Sequence, residues 1–95
     1  MCNLSFTDSL TPTWQDLPLI SSNHALDKMI GLGMRLYDVA VLLEYGNECG
    51  DKRKDGTYEI CERWRGKEIK IILTQDYSRW VEDMAWIIIT IIEKR

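Results

Sequence analysis

The spacing of apolar positions changes along this chain of 95 residues. In residues 1–21, large apolar side chains (Phe6, Leu10, Trp14, Leu17, Leu19, Ile20) stand isolated among Ser, Thr and two prolines. That pattern predicts an irregular N-terminal arm that docks onto a folded body. Leu17–Ile20 reads as a short strand, and Pro18 restricts it to a sheet edge. From His24 the period becomes helical, with Leu26, Met29, Ile30 and Gly33 on one face at i, i+3, i+4 and i+7. Ser22 or Asn23 can cap the first turn, and Gly33 suits the left-handed residue that closes a helix. A second helix starts at Arg35, with Leu36, Val39, Ala40 and Leu43 inward, Tyr37 and Val41 widening that face, and Gly46 ending it. So short a connector predicts a helical hairpin.

After Gly46 the period shortens. Asp55-Gly56 signals a two-residue hairpin turn, because both of its positions need positive φ. Its register sets Lys52 against Glu59 and Glu48 against Arg63, two opposite-charge pairs. Tyr58, Ile60 and Trp64 then share one face, and Glu59, Cys61, Arg63 and Arg65 the other. A second turn at Gly66-Lys67 sets Trp64 against Ile69 and Arg63 against Lys70, so that Ile69, Ile71 and Leu73 extend the apolar face. A three-residue turn there would flip the faces. Gln75–Asp83 reads as a polar loop. Met84–Glu93 is the last strand, apolar on both faces and therefore expected to be buried on both, by the arm or by another subunit. The expected fold is α+β: an arm over residues 1–21, then one domain over 22–95 with a helical hairpin followed by a four-stranded antiparallel sheet.

The composition fits a single globular domain: 45% of residues are hydrophobic and the net charge is −3. A pI near 5.1 disfavours a dedicated nucleic-acid binder. The charge is uneven, however, since residues 52–70 hold seven Lys/Arg and four Asp/Glu. Cys2, Cys49 and Cys61 have no zinc-ligand spacing, so no metal or other cofactor is implied. No signal peptide is visible and the longest apolar run is too short for a membrane helix. The chain reads as cytoplasmic, with reduced thiols and no membrane contact.

The motif S-x-x-H-A-L-x-K-M, then G-M, then D-V and L-x-x-G, runs through His24, Ala25, Met29, Gly33, Asp38, Val39, Leu43 and Gly46. Tyr58, Gly66-Lys67-Glu68 and the final IIITII strand follow it. Over residues 21 to 93 this order resembles a family of small prokaryotic domains of unknown function that looks like a relative of the BrnT and RelE-type ribonuclease toxins. The resemblance implies metal-independent RNA cleavage, with Arg and Lys on a sheet face, and a small antitoxin-like partner. The family pattern carries basic residues in its first helix, one just before the closing glycine. Here Leu32 holds that position, Lys28 is the basic residue left, and Arg35 stands where Ser or Thr is usual.

Ribonuclease chemistry needs a base for the 2′-hydroxyl, cations for the phosphorane and an acid for the leaving oxygen. Arg63 and Lys70, gathered on one face, are the candidate cations, and His24, the only imidazole, the candidate acid or base. Arg35, Arg65 and Arg79 are candidate RNA contacts, and Trp14, Trp64, Trp80 and Trp86 candidate stacking surfaces. The plainer reading makes Arg63 and Lys70 a solvated strand face, His24 a helix-start residue and the tryptophans core. Glu48, Glu59 and Glu68 can neutralise the cations. With the acidic pI, this weighs toward a non-catalytic protein of the same fold acting through protein contacts, as a homodimer through the Met84–Ile92 strand. The alternative is a metal-independent ribonuclease toxin of a toxin–antitoxin pair. Whether the chain is an enzyme stays open at this point.

Overall fold

A computed structural model describes residues 12–50 and 56–94. The chain is α+β, with two helices and a six-stranded mixed sheet. In chain order the elements are β1 (Thr13–Trp14), β2 (Leu17–Ser21), α1 (Asn23–Leu32), α2 (Leu36–Tyr45), β3 (Asn47–Glu48), β4 (Thr57–Trp64), β5 (Lys67–Ser78) and β6 (Asp83–Lys94). The sheet runs β1-β2-β6-β5-β4-β3.

The arm is part of the sheet rather than irregular, from Thr13 onward. β2 pairs in parallel with β6, setting Leu19 against Trp86, Ile20 against Ile87 and Ser21 against Ile88. It is therefore not an edge strand. Pro18 is tolerated because it precedes the parallel ladder and faces only Thr13 of β1. The arm residues Phe6 and Leu10 lie outside the described residues.

Both helices lie on one face of the sheet, α1 against β6 and β2, α2 against β4, β1 and β2. They pack mainly on the sheet, so the expected hairpin of helix on helix is replaced by two helices side by side on strands. Ser22 caps α1: its Oγ accepts from Ala25 N–H and donates to the carbonyl of Ile89, both at 3.0 Å. Gly33, at φ +70°, closes α1 and sends Met34 N–H back to Met29 O at 2.8 Å. The buried face of α1 is Ala25 and Met29, with Leu32 partly buried, whereas Leu26 and Ile30 face solvent. α2 buries Val39, Leu42 and Leu43, and its Tyr37 and Val41 face outward. Ser22→Ala is expected to cost about 1–2 kcal/mol, seen as a lower urea midpoint at unchanged m-value, because one hydroxyl serves both the helix and the β6 carbonyl.

Strand register differs from expectation in three places. Glu48 faces Ile60, not Arg63. The exit of α2 sets this pairing: Gly46 lies so close to Ile60 and Cys61 that β3 must begin opposite Cys61. Lys52, the expected partner of Glu59, and Asp55 lie outside the described residues. The β4–β5 turn is Arg65-Gly66, with φ of +51° and +79°, not Gly66-Lys67. Trp64 faces Lys67, Arg63 faces Glu68 and Lys70 faces Cys61. The pairing slips by two positions, so every side chain stays on its expected face. The stretch read as a polar loop is mostly strand, since Gln75 to Ser78 continue β5 opposite Trp86 to Asp83. Gln75, Asp76 and Tyr77 are exposed, so backbone pairing holds them without any hydrophobic alternation.

β6 carries an irregularity between Ile72↔Thr90 and Leu73↔Ile88, which leaves Ile89 unopposed. This extra residue moves the buried phase of β6 from Trp86 and Ile88 to Ile91. Neighbouring side chains on both faces are buried at Ala85 and Trp86, whereas beyond the irregularity one face opens, and Ile89 and Ile92 are 39% and 41% exposed. Cys49 and Cys61 form a disulfide with Cα atoms 5.8 Å apart. It departs from the expectation of reduced thiols, because the β3–β4 pairing brings distant cysteines into bonding range, and such bonds persist mainly in oxidising compartments. Among the described residues, no helix is long and apolar enough to cross a membrane.

Candidate functional site

The sheet face opposite the helices carries the expected cations. Alternation along β4 and β5 turns Ile60, Ile69, Ile71 and Leu73 into the core. Glu59, Cys61, Arg63, Glu68 and Lys70 therefore take the other face. Arg63 and Lys70 do share that face, but each lies beside a carboxylate. Lys70 Nζ is 3.2 Å from Glu59 Oε1, and Arg63 is 3.7 Å from Glu68 Oε2. Nearby, Lys67 Nζ is 3.9 Å from Glu93 Oε2. Such partly exposed pairs add little stability, of the order of 0–1 kcal/mol each. Their effect on a phosphate is larger, because Arg63, Lys67 and Lys70 each have a carboxylate within 4 Å.

The other candidates do not converge on this face. His24 sits in the first turn of α1, exposed, on the helix side of the sheet. Arg35 precedes α2, where its backbone N–H donates to Asp38 Oδ2 at 2.9 Å and its guanidinium lies beside the same carboxylate. Arg65 is in the β4–β5 turn with its guanidinium 4.6 Å from the centre of the Trp64 ring. Arg79 follows β5 at its far end. A strand the length of β5 separates Arg65 from Arg79 by roughly 40 Å at 3.3 Å per residue, so these residues do not gather in one patch. Of the tryptophans, Trp14 and Trp86 are buried, Trp64 is partly buried, and Trp80 is almost fully exposed in the β5–β6 loop.

A second site lies on the helix side. A cleft of about 440 Å³ opens between the end of α2, β1, β3 and β4. Its floor rests on a buried aromatic cluster, in which Trp14 and Trp86 have ring centres 4.8 Å apart at 51° and Tyr58 meets Trp86 edge-on at 5.3 Å and 84°. Glu44 and Glu48 bring carboxylates to it, and Gln15 and Gln75 bring amides. Among the described residues, no basic side chain lines it. The indole Nε1–H of Trp86, a residue 2% exposed, has no hydrogen-bond partner. Such a donor costs about 1–3 kcal/mol when left unsatisfied. The β1–β2 turn that carries Gln15 holds Gln15 and Asp16 at φ +48° and +67°, a left-handed pair built without glycine.

The sequence pattern did not point to this cleft. Trp14 and Trp86 are 72 positions apart and meet only because β1 and β6 are joined through β2. A Gln-Asp turn gives no hairpin signal, since the usual Asn-Gly or Asp-Gly pair is absent. Comparison of the chain with protein-family models, curated proteins and solved structures finds no match.

Proposed function

We propose that this chain is a non-catalytic protein of RelE/BrnT-like fold that acts through protein contacts, first of all with a second copy of itself. The fold reading is supported by the order of two helices followed by an antiparallel β4–β5–β6 meander. One observation carries the functional reading. Tyr37, Val41 and Tyr45 stand at i, i+4 and i+8 along α2 and are 63%, 39% and 72% exposed. A helix normally buries such a stripe.

The stripe is also symmetric about Val41. Two copies of α2 packed antiparallel on a two-fold axis set Val41 against Val41 and each Tyr37 against the other copy's Tyr45, an isologous contact. The same arrangement brings Arg35 of one copy toward the acidic Glu44–Glu48 end of the other. This moves the contact from the Met84–Ile92 strand to α2, because over Trp86–Ile88 β6 is flanked on both sides by β2 and β5.

The ribonuclease reading has one observation in its favour, the shared face of Arg63 and Lys70. It is weakened by the carboxylates beside both cations and by the placement of His24 across the sheet. Sedimentation at about 100 µM, well above typical weak-dimer dissociation constants, tests the preferred reading. The wild-type chain is expected to be a dimer, and Tyr45→Lys to raise the dimer dissociation constant by about 30-fold or more while keeping the fold. A monomeric wild type, or a Tyr45→Lys dimer of unchanged affinity, overturns it.

A further inference from the structure

We propose that the Cys49–Cys61 disulfide is an exchange-active redox pair, opened and remade by small thiols of the glutathione class, with Lys70 stabilising the Cys61 thiolate. The pair is independent of the α2 stripe. Three observations converge on it. The first is access. Both cysteines are half-buried rather than sealed in the core. β3, which leads into Cys49, is the outermost strand of the sheet. Cys61 lines a shallow recess of about 200 Å³ with Glu62, Arg63 and Glu68.

The second is charge. Lys70 on β5 stands directly opposite Cys61 on β4, and opposed side chains on one face have Cβ atoms about 5 Å apart. Glu59 and Arg63 are two residues away along β4, and Glu68 is diagonal to Cys61 on β5. Among the described residues, Lys70 is therefore the charged residue closest to Cys61 by register. Its Nζ is held 3.2 Å from Glu59 Oε1, and Arg63 meets Glu68 at 3.7 Å. An adjacent ammonium favours a thiolate over a thiol. The third is a place for the other sulfur. Cys49 Sγ is 3.7 Å from the carbonyl oxygen of Glu59. A disulfide sulfur has no proton to donate there, whereas a thiol does. Opening the bond thus leaves Cys49 with an acceptor and Cys61 with a cation.

The exchange is balanced as follows. An incoming thiolate attacks Cys49 Sγ at the sheet edge and bonds to it. The Cys49–Cys61 bond breaks, and its electron pair leaves on Cys61 beside Lys70. A second thiolate attacks the incoming sulfur of the mixed disulfide and releases Cys49. Two external thiols have become one external disulfide, their protons pass to the two cysteines, and the reverse sequence remakes the bond. The core stays in place, because Ile60, Ile69 and Ile71 face the other side of the sheet. β3 keeps its pairing through Asn47 and Glu48 and the bond from Cys49 N–H to Glu59 O at 3.0 Å. The reduced chain is therefore expected to stay folded.

Reduced glutathione is the probe, applied to an air-oxidised Cys2→Ser chain so that only the pair exchanges. Alkylation with a maleimide–polyethylene glycol counts free thiols over time. Lys70→Gln is expected to slow opening about threefold or more, because a leaving thiol of higher pKa leaves more slowly. Lys70→Arg should keep most of the rate. Glu59→Gln removes the anion that competes for Lys70 and should speed opening about twofold. Both Gln variants break the same ion pair, so a merely structural effect moves both rates the same way. In a chain with Cys2→Ser and Cys49→Ser, the rate of Cys61 alkylation by iodoacetamide against pH is expected to show a midpoint below the ordinary thiol value of about 8.5. Circular dichroism shows whether each chain is folded, and this midpoint decides alone if a Lys70 or Glu59 variant is not. Two free thiols in the air-oxidised chain, loss of the fold on reduction, Gln variants whose rates do not move in opposite directions, or a midpoint at or above about 8.5 overturns the proposal.

Discussion

Leu19→Ala is expected to lower the stability of this chain by about 3–5 kcal/mol, as large-to-small changes at fully buried sites do. Leu19 has no exposed surface, pairs with Trp86 in the parallel ladder and belongs to the same core as Val39, Ile71 and Leu73. Domains of this size have roughly 5–15 kcal/mol in total, so the variant loses a large part of its stability and its Tm falls by about 15 °C or more. Ile20→Ala, one residue on and pointing to the opposite, half-buried face, is expected to cost only about 1 kcal/mol. The contrast is the test. An arm that merely rests on a finished body would give small losses at both positions. A strand inserted beside β6 gives a large loss at Leu19 alone. A fragment of residues 22–95 removes Trp14 and Leu19 together and is expected to stay unfolded by circular dichroism. Cooperative melting of that fragment, or a Leu19→Ala loss under about 1 kcal/mol, would place β2 outside the core.

What the sequence could show follows from how locally each feature is determined. The helices were legible because Ser22, Gly33 and Gly46 mark their ends and the helical period lies between. Which residues on them are buried was less so. Met29 belongs equally to a face with Leu26 and Ile30 and to one with Ala25, and only the crossing of α1 over β6 decides between them. The β4 and β5 faces are legible even though the turn lies one residue earlier than its pattern suggests, because a slip of two residues preserves the alternation. The β6 run of isoleucines misled for a different reason. Ile89 is an extra residue, so two half-strands of opposite phase are joined in one segment, and their sum looks apolar on both sides. Nothing in IIITII marks where the phase changes. The structural cue is remote: Ser22, on the loop into α1, donates its N–H to Ile88 O and its hydroxyl to Ile89 O. The candidate residues followed the same rule. Arg63 and Lys70 share a face that strand alternation alone determines. Their separation from His24 depends on which face the helices cover. The cleft depends on a parallel pairing between the two ends of the chain, for which local pattern holds no signal.

Gly46→Ala separates local from tertiary reasons for a glycine. Gly33 and Gly46 look alike in sequence, each following an apolar helix. Gly33 is needed for its conformation: φ is +70° and no atom lies within 4 Å of where a Cβ would stand. Gly33→Ala should therefore cost about 1–2 kcal/mol from left-handed strain alone. Gly46 has φ −81°, open to any residue. Its added Cβ would instead meet Ile60 Cγ2 and Leu42 O at 2.7 Å and Cys61 O at 2.8 Å. Two of those atoms are backbone. Leu42 O already accepts the closing helix bond from Gly46 N–H, so it cannot retreat without loosening the end of α2. Cys61 O belongs to β4, where the adjoining β3 ladder and the disulfide limit its movement. Relief must come from moving α2 off the sheet, at about 3 kcal/mol, the upper part of the range for overpacked sites. Asparagine sharpens the distinction, since it adopts the left-handed region readily but is bulkier than alanine. At position 33 it should recover most of the alanine loss, and at position 46 it should be worse than alanine. Urea denaturation of the four variants reads both signs, and the same ranking at both sites would refute the tertiary role assigned to Gly46.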